Sequence, residues 1–170
     1  MATDETDPQL KALLSLAGSL GASDARMLAP EAIRVEEALA DLCKPPGCGN
    51  YGLAPGCPPH VSGPTGFRQL QRRAVAAVAV RLIAPAEALL SCQRTDIMRL
   101  LHEITAGVEQ AAVDAGYEKS KAFAGGSCKK IFCDDQPACR QLPEGGICRY
   151  HPHARPSMSG FGINVSELMK

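Results

Sequence analysis

The segment CKPPGCGNYGLAPGCPPH, residues 43–60, places three cysteines, five prolines and four glycines within eighteen positions. Proline fixes φ and lacks an N–H, and glycine weakens any regular element, so no long helix or regular strand can run through it. The loop must take its shape from something it encloses. The thiols of Cys43, Cys48 and Cys57 point to a metal centre.

A second group, Cys128, Cys133, Cys139 and Cys148, follows the pattern C-x4-C-x5-C-x8-C, and Cys92 stands alone between the groups. The opening MATDETDP is acidic and lacks the basic and apolar regions of an export signal. The longest apolar run, AVAAVAVRLIA, is broken by Arg81 and is too short to span a membrane. These features predict a cytoplasmic protein without membrane contact. In a reducing compartment, clustered cysteines more often hold metal than form disulfides. The formal net charge is zero, there is no tryptophan, and aromatics make up 4% of the chain. That composition argues against nucleic acid bound through bulk charge or base stacking.

Periodicity predicts an α+β fold in which a small sheet with packed helices carries two cysteine-rich loops at one end, as a single metal-binding domain over residues 1–170. Leu10, Leu13, Leu14 and Ala17 mark a first helix ended by Gly18 and Gly21. Residues 25–28 read as a strand and 36–42 as a short helix, and Thr65 reads as the N-cap of a helix reaching Arg72. Residues 74–84 read as a buried strand. Ile97, Leu100, Leu101, Ile104, Val108, Ala111, Ala112 and Ala115 mark the strongest helix, stopped at Gly116. Residues 121–124 read as a third strand. A parallel strand–helix–strand crossover would then bring both cysteine loops to one end of the sheet.

Gaps of four, five and eight residues are loose for structural zinc, whose ligands usually pair at two to four. Iron–sulfur clusters accept wider spacing, and the Cys57-Pro58-Pro59 run suits a cluster ligand. The expectation is one or two iron–sulfur clusters, of 4Fe–4S type, with zinc as the alternative. The second group has four thiols, enough for a complete 4Fe–4S site. The first has three, and its fourth position falls to Cys92, to His60, or to an open iron that binds water or substrate. Cys92 itself reads as a buried or helix-start thiol. Tyr51 is placed to donate to a cluster sulfur or to pack the loop. His151 and His153 lie beside the second group on a rigid exposed turn, and His102 reads as a surface residue of the long helix. Lys129, Lys130, Arg149 and Arg155 would stabilise an anionic cluster and attract an acidic partner.

Other chemistries find no support. No Walker loop is present, and Gly160-Phe161-Gly162 does not follow a strand in dinucleotide-binding form. Ser157-Met158 reads as a turn or helix cap rather than a nucleophile.

The first loop, the GGSC segment at 125–128 and the tail CRYHPHARPSMSGFGINV at 148–165 together resemble one family. It is the prokaryotic family of small cysteine-rich proteins described as predicted metal-binding proteins of unknown function. The tail residues Cys148, Arg149, Pro152, Ala154, Arg155, Pro156, Ser157, Met158, Gly162, Ile163 and Val165 fit its pattern. The resemblance implies metal binding through Cys43, Cys48, Cys57, Cys128, Cys133, Cys139 and Cys148, and leaves Cys92 outside the motif. It brings no known reaction. This chain departs from the pattern at Asp134–Pro137, which lengthen a cysteine gap, and at Ser159 and Asn164, where the family has Glu and Asp.

Three functions follow as expectations. The first is electron transfer or a redox-accessory role beside a larger enzyme, through a redox partner protein. The second is an enzyme with an open iron at the three-cysteine group. The third is a zinc-stapled, non-catalytic interaction module.

Overall fold

The computed structural model describes residues 7–143 and 146–168. Among them are seven α-helices and one two-stranded antiparallel sheet, so the fold is α+β. Helix α1 (Pro8–Ser19) starts where the Asp7 carboxylate accepts from Gln9 N–H and Pro8 occupies the first turn. The Tyr117 hydroxyl donates to the same carboxylate at 2.6 Å, which pins the start of α1 beside the end of α5 (Gln93–Asp114). Leu10, Leu13 and Ala17 of α1 meet Ile104, Val108 and Ala112 of α5 in one buried cluster. Strands β1 (Asp24–Leu28) and β2 (Ala77–Arg81) lay Ala25, Met27, Val78 and Val80 against it.

A second cluster joins Phe67 of α3 (Gly63–Gln71) to Phe161 and Ile163 of the tail, with Val35 and Phe123 packed on it. Phe123 meets Phe67 edge-on at 5.2 Å and Phe161 at 4.8 Å. The first cluster builds the sheet-and-helix layer. The second holds the C-terminal tail to the middle of the chain, between α2 (Glu37–Asp41) and α3. A short α4 (Ala86–Leu89) precedes α5, α6 (Cys128–Phe132) carries the start of the second cysteine group, and α7 (Val165–Leu168) closes the described chain.

Several expectations need correction. The two strands are antiparallel, so no parallel crossover exists between them, and the cysteine loops are brought together by other means. Residues 121–124 are not a strand: Ala124 makes a single parallel bridge to Ser157, because its neighbour is the irregular tail. Strand β2 is shorter than its apolar run and only half-buried, with Val75 at 61% and Ile83 at 69% exposure just outside it. Among the described residues it pairs with β1 alone and no strand lies on its other edge. Helix α3 begins at Gly63, so Thr65 lies inside it and Ser62 is the cap position.

Candidate metal centre

The first cysteine loop folds as successive turns. Tyr51 N–H donates to Cys48 O, Cys57 N–H to Ala54 O and His60 N–H to Cys57 O, while Gly52 N–H crosses the loop to Pro58 O at 2.7 Å. The tail seals it from one side. Ser157 N–H donates to Gly56 O at 2.9 Å, and a Cβ on Gly56 would lie 3.1 Å from Pro156 Cα, so a side chain at position 56 would press on the tail backbone. The same tail exchanges hydrogen bonds with the second loop, Ala124 N–H to Pro156 O and Met158 N–H to Ala124 O, both at 2.9 Å. It then reaches the approach to α2, where Glu36 N–H donates to Gly162 O and Asn164 N–H to Arg34 O.

Between these contacts the thiols gather. Cys43 and Cys57 are buried. Cys48, Cys128, Cys133, Cys139 and Cys148 are half-buried. Burial pushes the Cys43 thiol up, and its neighbours Cys48 and Cys57 push it further. Cys57 is likewise raised by burial, against a hydrogen bond with Ser127 that opposes the shift. Its Sγ lies 3.4 Å from Ser127 Oγ, and Ser127 directly precedes Cys128. Burial raises Cys128 to about 12, reinforced by Cys57, Cys139, Cys148 and Cys133. Cys133 is raised by burial and by Cys148 and Cys139, with Lys129 opposing. The fold therefore brings the two groups together, and they meet where Cys57 faces Ser127 and Cys128.

Buried thiols that raise one another's pKa hold their protons unless a cation replaces them. Soft sulfur donors in that number suit a thiophilic metal, so the donor set fits the group that the sequence implies. Among the described residues no three His, Cys, Asp or Glu side chains close round a single ion.

The other sequence candidates fall differently. Cys92 is exposed at the N-cap position of α5, a helix-start thiol that is not buried. His60 is exposed, and its Nε2 faces Gly52 O at 3.2 Å, so that nitrogen carries a proton toward a carbonyl. His151 and His153 are exposed on a turn, as their flanking prolines imply. Three of the four cations are engaged within the chain. Lys129 Nζ donates to Cys133 O and Gln136 O at 2.6 and 2.7 Å, which folds the lengthened gap before Cys139. Lys130 pairs with Asp134 at 2.9 Å, and Arg155 pairs with Glu109 at 2.5 Å in a largely buried contact. Tyr51 lines a cavity of about 400 Å³ beside Cys43, Cys48 and Cys57. Ser157 sits at the N-cap position of the short 3₁₀ turn Met158–Phe161, where its side chain makes no capping hydrogen bond.

His102 is the clearest correction. It is 0% exposed, packed edge-on to Phe132 at 5.5 Å. Nε2 lies 3.0 Å from Gly125 O, and Nδ1 accepts from Arg155 N–H at 3.1 Å. Those partners set a neutral ring protonated on Nε2. Its neighbours on that side of α5 also serve the site: Arg99 donates to Ile131 O, and Glu109 accepts from Ala122 N–H as well as pairing with Arg155. The signal in the sequence is seven-residue spacing, which puts His102 and Glu109 on one helix face, away from the apolar stripe.

The chain belongs to the DUF2284 family, described as predicted metal-binding proteins, whose family model matches residues 26–170. No curated protein and no solved structure matches it.

Proposed function

We propose that this family member is an iron–sulfur protein that carries one or two 4Fe–4S clusters on its seven motif thiols and serves electron transfer, as a redox accessory to a larger partner protein. The meeting of the two thiol groups at Cys57 and Cys128 carries this reading, because buried thiols that raise one another need a shared cationic centre to become ligands. When bound, such clusters accept and release single electrons. The chain supplies the rest. Pro58 and Pro59 follow Cys57 without adding N–H groups that need partners, Cys57 Sγ and Ser127 Oγ lie within hydrogen-bond distance, and Lys129 shapes the stretch between Cys133 and Cys139. All eight cysteines are free thiols, which suits a reducing cytoplasm.

One observation favours a second reading, an enzyme with an open iron. The cavity of about 400 Å³ opens on the group with only three thiols. A single experiment separates these readings from zinc: iron, zinc and acid-labile sulfide per chain on protein purified without oxygen. The expected result is about eight irons and eight sulfides, with a visible band bleached by dithionite. About four irons would confine the cluster to the four-thiol group. Zinc without sulfide would overturn the proposal and leave a structural module.

A further inference from the structure

Cys57 finds no free donor in its own stretch of backbone. Its N–H donates to Ala54 O, the next two residues are Pro58 and Pro59, which have no N–H, and His60 N–H returns to Cys57 O. Every backbone amide from 57 to 60 is therefore committed or missing. The sulfur is met instead from the other cysteine group, by Ser127 Oγ at 3.4 Å. Ser127 is 5% exposed and directly precedes Cys128. It occupies the N-cap position of α6, where a serine ordinarily accepts from a backbone N–H of the first turn, yet its side chain makes no such bond. Among the described residues, Cys57 is the only hydrogen-bond partner of the Ser127 hydroxyl.

Counting protons fixes the direction of that bond once metal is bound. A metal-bound cysteine is a thiolate, which has no proton and can only accept, whereas the hydroxyl keeps its O–H. We infer that Ser127 is a positioning residue for the metal centre: its hydroxyl donates to the Cys57 thiolate, ties the three-thiol loop to the four-thiol loop, and raises the reduction potential of the cluster that Cys57 ligates. The effect on potential rests on the iron–sulfur reading. An added electron makes the ligand sulfurs more negative, so a donor fixed on one of them stabilises the reduced form more than the oxidised form. The buried setting of the hydroxyl strengthens that difference, because the surrounding dielectric is low.

The test is a reductive titration, followed by visible absorption, of the full chain loaded with iron and sulfide without oxygen, as wild type, Ser127→Ala and Ser127→Thr. Ser127→Ala should keep the iron and sulfide of wild type and move one midpoint about 40 mV negative, a roughly fivefold change in a one-electron equilibrium and the worth of one ordinary hydrogen bond. Ser127→Thr, which keeps the hydroxyl, should return most of that shift. An unchanged midpoint in Ser127→Ala, or a threonine variant as negative as the alanine one, overturns the assignment. If Ser127→Ala cannot hold a cluster, a threonine variant that holds one at the wild-type midpoint upholds it, and one that has lost it too overturns it. Zinc without sulfide in wild type would sink the iron–sulfur reading by itself. The hydrogen bond is then read from zinc release to a chelator: about fivefold faster release from Ser127→Ala, restored in Ser127→Thr, upholds the bond, and equal rates in all three overturn it.

Discussion

His102 commits both ring nitrogens to backbone groups of the two segments that flank the second cysteine group, Gly125 on one side and Arg155 on the other. Burial lowers its pKa from the ordinary 6.5, and the nearby Arg155 charge adds to that. A group with a lowered folded-state pKa that is neutral when buried contributes stability above pH 6.5 and loses it as pH falls through the lowered value, since the unfolded chain takes up the proton first. His102→Gln should therefore cost about 1–3 kcal/mol at pH 7.5. The gap between wild type and variant in urea denaturation should narrow at pH 5.5; a constant gap would sink the assignment. The cysteine ligand candidates were legible because their chemistry shows in spacing alone. His102 was not read correctly, because the face it shares with Glu109 looks the same in the sequence whether it meets water or a carbonyl. Only the second face of α5, invisible until its partners are known, separates the two.

At the scale of elements, α1 and α5 were legible nearly to their ends from their periods, although Gly18, read as a stop, lies inside α1, and β1 was placed to within a residue. Residues 121–124 and 74–84 were not. Their apolar character is real, but the first packs against a tail without regular structure and the second pairs on one edge only, and neither fact is local. The tail element depends on Gly162, held at φ 71° where a Cβ would lie 2.4 Å from Glu36 O. Gly162→Ala should cost about 2 kcal/mol or more and reduce metal retained at the three-thiol group, whose wall the tail forms. Gly18→Ala, with nothing near its Cβ inside α1, should stabilise by about 0.5–1 kcal/mol. Thermal melts with metal analysis read both. Equal effects in the two variants would show that the tail does not shape the site.

For the whole molecule, the sequence predicted that both cysteine loops share one end, but for the wrong reason. A crossover between parallel strands does not join them; the tail does, by hydrogen-bonding to both. Among the described residues no helix is long and apolar enough to cross a membrane. Cys92, exposed at the start of α5, should be dispensable: Cys92→Ala is expected to keep the metal content and melting temperature of wild type. Cys148→Ala should lose the four-thiol centre and melt several degrees lower, because bound metal supplies part of the folding energy. Loss of iron from Cys92→Ala, or its full retention in Cys148→Ala, would redraw the ligand set. The tail also fixes an order of events. During synthesis the first three thiols leave the ribosome long before Ser157 arrives to cover Gly56. The nascent chain therefore presents those thiols without the tail that seals their loop in the folded chain. Loss of metal should run the other way, with the C-terminal segment lifting first and the sheet-and-helix layer of α1 and α5 left standing as the last folded part.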